Sequence, residues 1–197
     1  MAPTSLSPHW ESPQLPPEVV SCLKHSRYLH LGTCHNDYPH ISLMNFTYVP
    51  KGSQYEEHDC IILTCRRNTK KFINITANPR VSLLVHDWVS PRSQTNTTPS
   101  ASALSFFLQN LNQAELSSIS ATLNGTAWPL EAAEAAYYKE LHLQANPPEA
   151  RRYVDCPDMV VVKVRITSAR IVDTEDHVEK WGSEGPAMGT AGSESSI

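Results

Sequence analysis

The chain has 197 residues, of which 18 % are charged, and a formal net charge of −4. That length suits one domain with a core of its own, and the charge excludes any general attraction to nucleic acid or anionic membrane. Of only seven glycines, Gly32, Gly52 and Gly125 alone precede residue 182, which excludes a dinucleotide-type glycine fingerprint and a phosphate-cradling glycine loop.

In chain order, residues 1–15 are rich in proline and serine and read as a flexible segment. Pro16 and Pro17 pre-set the first turn of a short helix with Val19, Val20 and Leu23 on one side, ending near His25. Residues 28–34 and 40–49 read as strands joined by the turn-forming run His35-Asn-Asp-Tyr-Pro39. The second strand is apolar on both sides, with Ile41 and Leu43 on one and Met44, Phe46 and Tyr48 on the other, as in a barrel wall covered on both faces. A polar loop over 51–59 leads to a short buried strand over 60–64, and a helix over 69–77 is closed by Asn78-Pro79. In the next strand Val81, Leu83 and Val85 alternate with Ser82, Leu84 and His86.

Residues 90–102 are a low-complexity Ser/Thr/Pro/Asn stretch, expected to be a mobile insertion, and Leu104, Phe107, Leu108 and Leu111 then recur at helical spacing. A strand over 117–127 precedes a helix started by Pro129, which presents Leu130, Tyr137 and Leu141 on one face and stops at Asn146-Pro-Pro148. In the last strand, 159–172, Val160, Val162, Val164 and Ile166 face the core, while Val161, Lys163, Arg165 and Thr167 face a partly wet side. The Gly/Ser tail over 182–197 reads as disordered. About six strands with connections too short for parallel crossovers predict a mainly β fold, an antiparallel barrel with peripheral helices in one domain over 16–181.

No apolar run reaches the ~20 residues of a membrane helix, so no membrane partner is expected. The five cysteines, Cys22, Cys34, Cys60, Cys65 and Cys156, lack metal-type spacing, and a reducing compartment is expected: the cytoplasm, and also the nucleus. Cys60 and Cys65, five apart in a strand, face opposite sides. His30, His35, His40, His58 and His86 show no paired metal-ligand spacing, so no metal site is expected. Trp88, Trp128 and Trp181 fit core or interface packing.

Charge is concentrated in one segment. Between Cys60 and His86 there is no acidic residue, yet Arg66, Arg67, Lys70, Lys71 and Arg80 lie there. Four of them bracket the predicted helix start, whose free N–H groups and dipole favour an anion. Lys70 and Lys71 in the first turn cost on the order of 0.3–1 kcal/mol each unless an anion is near. A phosphate site and a solvated basic face are the two readings of this pattern. Nucleic acid is not expected, because only Phe72 interleaves the cluster with a stacking ring.

The runs Pro39-His-Ile-Ser-Leu-Met-Asn-Phe46, Ile61-Ile-Leu-Thr-Cys-Arg-Arg-Asn-Thr-Lys-Lys-Phe72 and Asn78-Pro-Arg-Val-Ser-Leu-Leu-Val-His-Asp-Trp88 resemble the FMN-binding split barrel of the pyridoxamine 5'-phosphate oxidase-like family, over about residues 17–181 and nearest to its fungal members. The resemblance implies a homodimer with FMN at the subunit interface. It implies that Lys71 and Lys70 hold the FMN phosphate with help from Arg66 and Thr69. It places Ser42, Leu43, Met44 and Asn45 near the isoalloxazine, with Thr64 and Cys65 beneath it. It assigns no catalytic residue.

Three positions depart from the oxidase itself: Ser42 stands where it has a phosphate-binding arginine, Ser120 where it has a glutamine, and Trp181 with a Gly/Ser tail where it has an Arg- and Trp-containing end. Oxidation of pyridoxamine phosphate is therefore not expected. Two functions follow from the resemblance: a flavin-dependent oxidoreductase, and a non-catalytic split-barrel dimer that binds FMN weakly, another small phosphorylated ligand, or a protein partner.

Overall fold

The computed structural model describes residues 14–87, 119–146 and 151–182. The expected flexible segment up to residue 13, Trp88, the insertion over 90–102, the helix over 104–111 and the tail beyond 182 lie outside the described residues.

Helix α1 (Pro17–His25) begins on a proline, where the missing N–H costs nothing, and buries Val19, Cys22 and Leu23. Strands β1 (Tyr28–His35) and β2 (Tyr38–Asn45) form a hairpin in which His35 pairs with Tyr38. The turn is two residues long, tighter than the five-residue run expected. Asn36 and Asp37 take φ of 50° and 58°, the left-handed region that these short polar side chains tolerate and that a twisted hairpin requires.

The single strand predicted over 40–49 is two. Phe46 interrupts it, and β3 (Thr47–Val49) pairs with β4 (Cys60–Arg66) instead of β1. The chain thus passes from one edge of the sheet to the other, which bends the sheet into a barrel. Strand β4 runs two residues past its predicted end, then come α2 (Lys70–Ala77), β5 (Arg80–His86), β6 (Ile119–Pro129), α3 (Ala132–Ala145), α4 (Arg151–Val154), β7 (Met159–Asp173) and β8 (Val178–Gly182). The strand order is β2-β1-β5-β6-β7-β4-β3 with β8 on β7, and every pairing is antiparallel. The sheet curls until β2 lies against β4, a mainly β half-barrel as expected, with eight strands.

Leu29, Leu31, Ile61, Leu63, Leu83, Leu123, Val162 and Val164 fill the barrel. At the bulge between Asn124 and Gly125, a Cβ on Gly125 would stand 2.4 Å from the Arg165 carbonyl oxygen, so β6 and β7 approach there only because the residue is glycine.

On the outer face of β7, Val161 and Lys163 are buried where a partly wet side was expected, whereas Arg165 and Thr167 further along are partly exposed as the alternation predicts. Helix α3 covers the buried part, and Val49, Cys60, Ile62, Leu130, Tyr138 and Val161 form a second apolar cluster. Lys163 is buried there too. Its Nζ lies 2.9 Å from Glu56 Oε1 and 2.6 Å from Glu134 Oε1, and 4.9 Å from the centre of the Tyr138 ring. Tyr138 donates its hydroxyl to Glu56, and the Cys60 thiol donates to the same carboxylate at 3.0 Å. Burial opposes charge on Glu56, but the hydrogen bonds from Tyr138, Cys60 and Lys163 outweigh it and hold its carboxyl below the usual range.

Helix α3 starts at Ala132, after Pro129 has ended β6. Its deepest residues are Tyr138, His142 and Leu143, with Tyr137 and Leu141 only partly buried beside them. The outer side of β2 also departs from expectation: Ile41 is 71 % and Leu43 61 % exposed, so none of the described residues covers that face.

Candidate functional site

Strand β4 delivers the cations to α2. Thr69 stands at the N-cap with extended backbone, and its hydroxyl donates to the Arg66 carbonyl at 2.7 Å instead of capping the helix. The first-turn N–H groups therefore have no side-chain cap, and no acidic residue lies in that turn. Lys70 and Lys71 are its first two residues. Among the described residues, no ion pair involves Arg66, Arg67, Lys70, Lys71 or Arg80. Arg67 lies over the Phe72 ring at 5.8 Å, and Arg66 Nη2 is 3.9 Å from Cys156 Sγ. The mouth of α2 is thus a set of donors and positive charges without an internal counter-ion, the arrangement that an anion completes.

Cys65 is buried just inside this mouth. Burial pushes its thiol up, against the Lys71 ammonium and the Thr69 hydroxyl that pull it down. Cys60 belongs to the cluster under α3 and Cys65 to the barrel interior, so the two do face opposite sides.

Beside the mouth is a cleft of about 250 Å³. Leu43, Met44 and Asn45 of β2 and Thr64 of β4 line it, together with Tyr28, His142 of α3, Val154 of α4 and Met159 of β7. Mouth and cleft adjoin: Arg66 pairs with the cleft residue Met159 and stands two residues beyond Thr64, about 7 Å along the strand. Four of the residues singled out from the sequence come together in the cleft, and Arg66, Thr69, Lys70 and Lys71 come together at the mouth. Ser42 is not among the cleft residues; its hydroxyl lies 3.1 Å from His40 Nε2.

The sequence reading missed Tyr28, His142, Val154 and Met159. His142 had a signal: Tyr138, His142 and Asn146 recur at i, i+4 on one helix face. Its ring is 1 % exposed, with Nδ1 2.9 Å from Thr47 Oγ1 and 3.3 Å from Asn146 Nδ2. Burial pushes its pKa down to about 4, so the ring is neutral near pH 7. Among the described residues that line the cleft there is no carboxylate and no lysine.

The family model described as pyridoxamine 5'-phosphate oxidase matches residues 15–173. A Schizosaccharomyces pombe protein described as a pyridoxamine 5'-phosphate oxidase homolog is 45 % identical over 180 residues, covering 88 % of this chain and 94 % of that one. Among solved structures, a heme binding protein from Mycobacterium smegmatis superposes with a TM-score of 0.60 at 19 % identity, over 84 % of this chain and 57 % of that one. A FAD-binding protein from Mesorhizobium loti does so with a TM-score of 0.52 at 14 % identity, over 80 % and 94 %. At those identities the two structures speak for the fold alone. The sequence match over most of its length shows that this chain belongs to the pyridoxamine 5'-phosphate oxidase family.

Proposed function

We propose that this protein binds FMN as a homodimer, with the phosphate at the mouth of α2 and the ring system in the adjoining cleft. The observation that carries the reading is the adjacency of an acid-free, uncapped cationic helix mouth to a cleft lined by Leu43, Met44, Asn45 and Thr64. The donor set fits a phosphate monoester: unpaired lysine and arginine side chains beside free backbone N–H groups. When bound, FMN supplies hydride or single-electron transfer. The chain's own residues bind the phosphate, orient the ring and exclude water from one side of it.

A second copy of the chain is supported by the uncovered face of β1 and β2. Tyr28, Ile41 and Leu43, which register and alternation put on one face, are 45 %, 71 % and 61 % exposed, an apolar patch of the kind that marks an interface. Tyr28 and Leu43 also line the cleft, so a copy docked on this face closes it. A second reading, a flavin-holding protein that does not oxidise pyridoxamine phosphate, is favoured by a cleft without carboxylate or lysine and a histidine held neutral.

The test is a titration of FMN into flavin-free protein, followed by flavin fluorescence, beside Lys71→Ala and Arg66→Ala. Each variant should bind at least tenfold more weakly, the size of a lost charge-assisted hydrogen bond, whereas riboflavin, which lacks the phosphate, should distinguish the variants little. Failure of the unaltered protein to bind FMN overturns the reading. Sedimentation should give a dimer, and Leu43→Asp should give a monomer.

A further inference from the structure

His142 lines the cleft from α3, and the FMN reading above gives its ring no contact with the ligand. Its tautomer follows from its neighbours. Asn146 Nδ2 lies 2.8 Å from the His142 carbonyl oxygen, and a carbonyl only accepts, so the amide is oriented with its NH2 on this side. The same NH2 faces Thr47 Oγ1 at 3.4 Å and His142 Nδ1 at 3.3 Å. A proton on Nδ1 would make Thr47 Oγ1 accept twice and leave the Thr47 hydroxyl proton without an acceptor among the described residues. The consistent arrangement is a chain in which Asn146 donates to Thr47 and Thr47 donates to Nδ1 at 2.9 Å. The single proton of the neutral ring is then on Nε2. Among the described residues, every ring hydrogen bond of His142 is made through Nδ1, and the residue lines the cleft.

We propose that His142 presents its Nε2–H as a fixed hydrogen-bond donor to the ligand in the cleft, and so selects planar heterocycles that carry a carbonyl oxygen or an unprotonated ring nitrogen at that edge. The ligand's identity rests on the FMN reading, whereas the donor is a property of the chain itself. Burial, which opposes the imidazolium form, keeps the group a neutral donor. His142 is thus a positioning residue: it sets which edge of the ring faces α3 and transfers no proton.

The experiment uses the full chain with 15N-labelled histidine. In flavin-free protein at neutral pH, His142 should give the correlation pattern of the Nε2–H tautomer, and addition of FMN should move its Nε2 signal more than Nδ1. His142→Leu should bind FMN about tenfold more weakly, with a displaced flavin absorption band. His142→Gln, whose amide N–H can occupy the same position, should restore both. An Nδ1–H pattern overturns the inference. So does an Nε2 signal unmoved by bound FMN, and so does unchanged affinity in a folded His142→Leu protein. If the unaltered protein binds no FMN, the flavin reading falls, and the tautomer pattern alone then upholds or overturns the donor.

Discussion

Two groups of lysines occupy opposite electrostatic situations in this molecule. Lys163 is 7 % exposed and lies between two carboxylates, 2.9 Å from Glu56 and 2.6 Å from Glu134. Lys70 and Lys71 stand at the positive end of α2 with no acidic residue in that turn. The buried lysine is satisfied within the chain and fastens α3 and the 50–59 loop to the barrel. The two at the helix mouth oppose the helix dipole, and none of the described residues forms an ion pair with them. A cation with its partners at hand is structural, and a cation placed against its own helix points to a ligand.

The largest expected effect breaks the first half of this contrast. Lys163→Met leaves Glu56, whose side chain is 4 % exposed, buried without its counter-charge, and urea unfolding should show a loss of about 3–5 kcal/mol. A loss below about 1 kcal/mol, the size of an exposed ion pair, would remove the distinction. The next effect concerns the cover that Lys163 holds in place. His142 has its pKa lowered from 6.5 to about 4, so between those values the unfolded chain binds a proton that the folded chain does not. This contribution to stability is complete above about pH 6.5 and is lost at roughly 1.4 kcal/mol per pH unit as the pH falls toward 4. His142→Gln should flatten that segment of a stability–pH curve. The Glu56 carboxyl, also held low, loses its contribution only as the pH falls through the acidic range of its own folded pKa.

The smallest effect sharpens the second half. Lys70→Ala and Lys71→Ala should each raise the melting free energy of the ligand-free protein by about 0.3–1 kcal/mol, because each removes a positive charge from the wrong end of a helix. Inorganic phosphate should stabilise the unaltered protein more than either variant in a thermal-shift series. Destabilisation by both substitutions without ligand would mean that the lysines have partners within the chain.

Much of the fold was legible because it is local. The alternation of Val81, Leu83 and Val85 against Ser82 and His86 marks β5, and the two prolines mark the start of α1. The acid-free run around α2 was visible as a cluster of one charge type. Other features were not legible. Residues 40–49 read as one strand because both halves alternate equally well, and only the partners on either side of Phe46 divide them into β2 and β3. Strand β8 was missed because Val178-Glu-Lys-Trp-Gly182 carries little apolar alternation, although Trp181 is buried. Lys163 read as a wet position because a charge on a strand ordinarily marks the solvent side. His142 went unnoticed because a polar residue on a helix does not count toward an apolar face.

The sequence by itself determined most of the strands and helices, the antiparallel character of the sheet, the family, and the cationic entrance to α2. Each of these depends on residue spacings of two to four, on short connections, or on residues close together along the chain. The tertiary structure alone decided which charges are buried, that a cleft adjoins the entrance, that β2 presents an apolar face left open by the described residues, and which distant side chains meet His142. These depend on contacts between distant residues: Lys163 meets Glu56 across 107 positions, and Thr47 meets His142 across 95. Burial and hydrogen-bond direction are set by such pairs, and no local pattern encodes them.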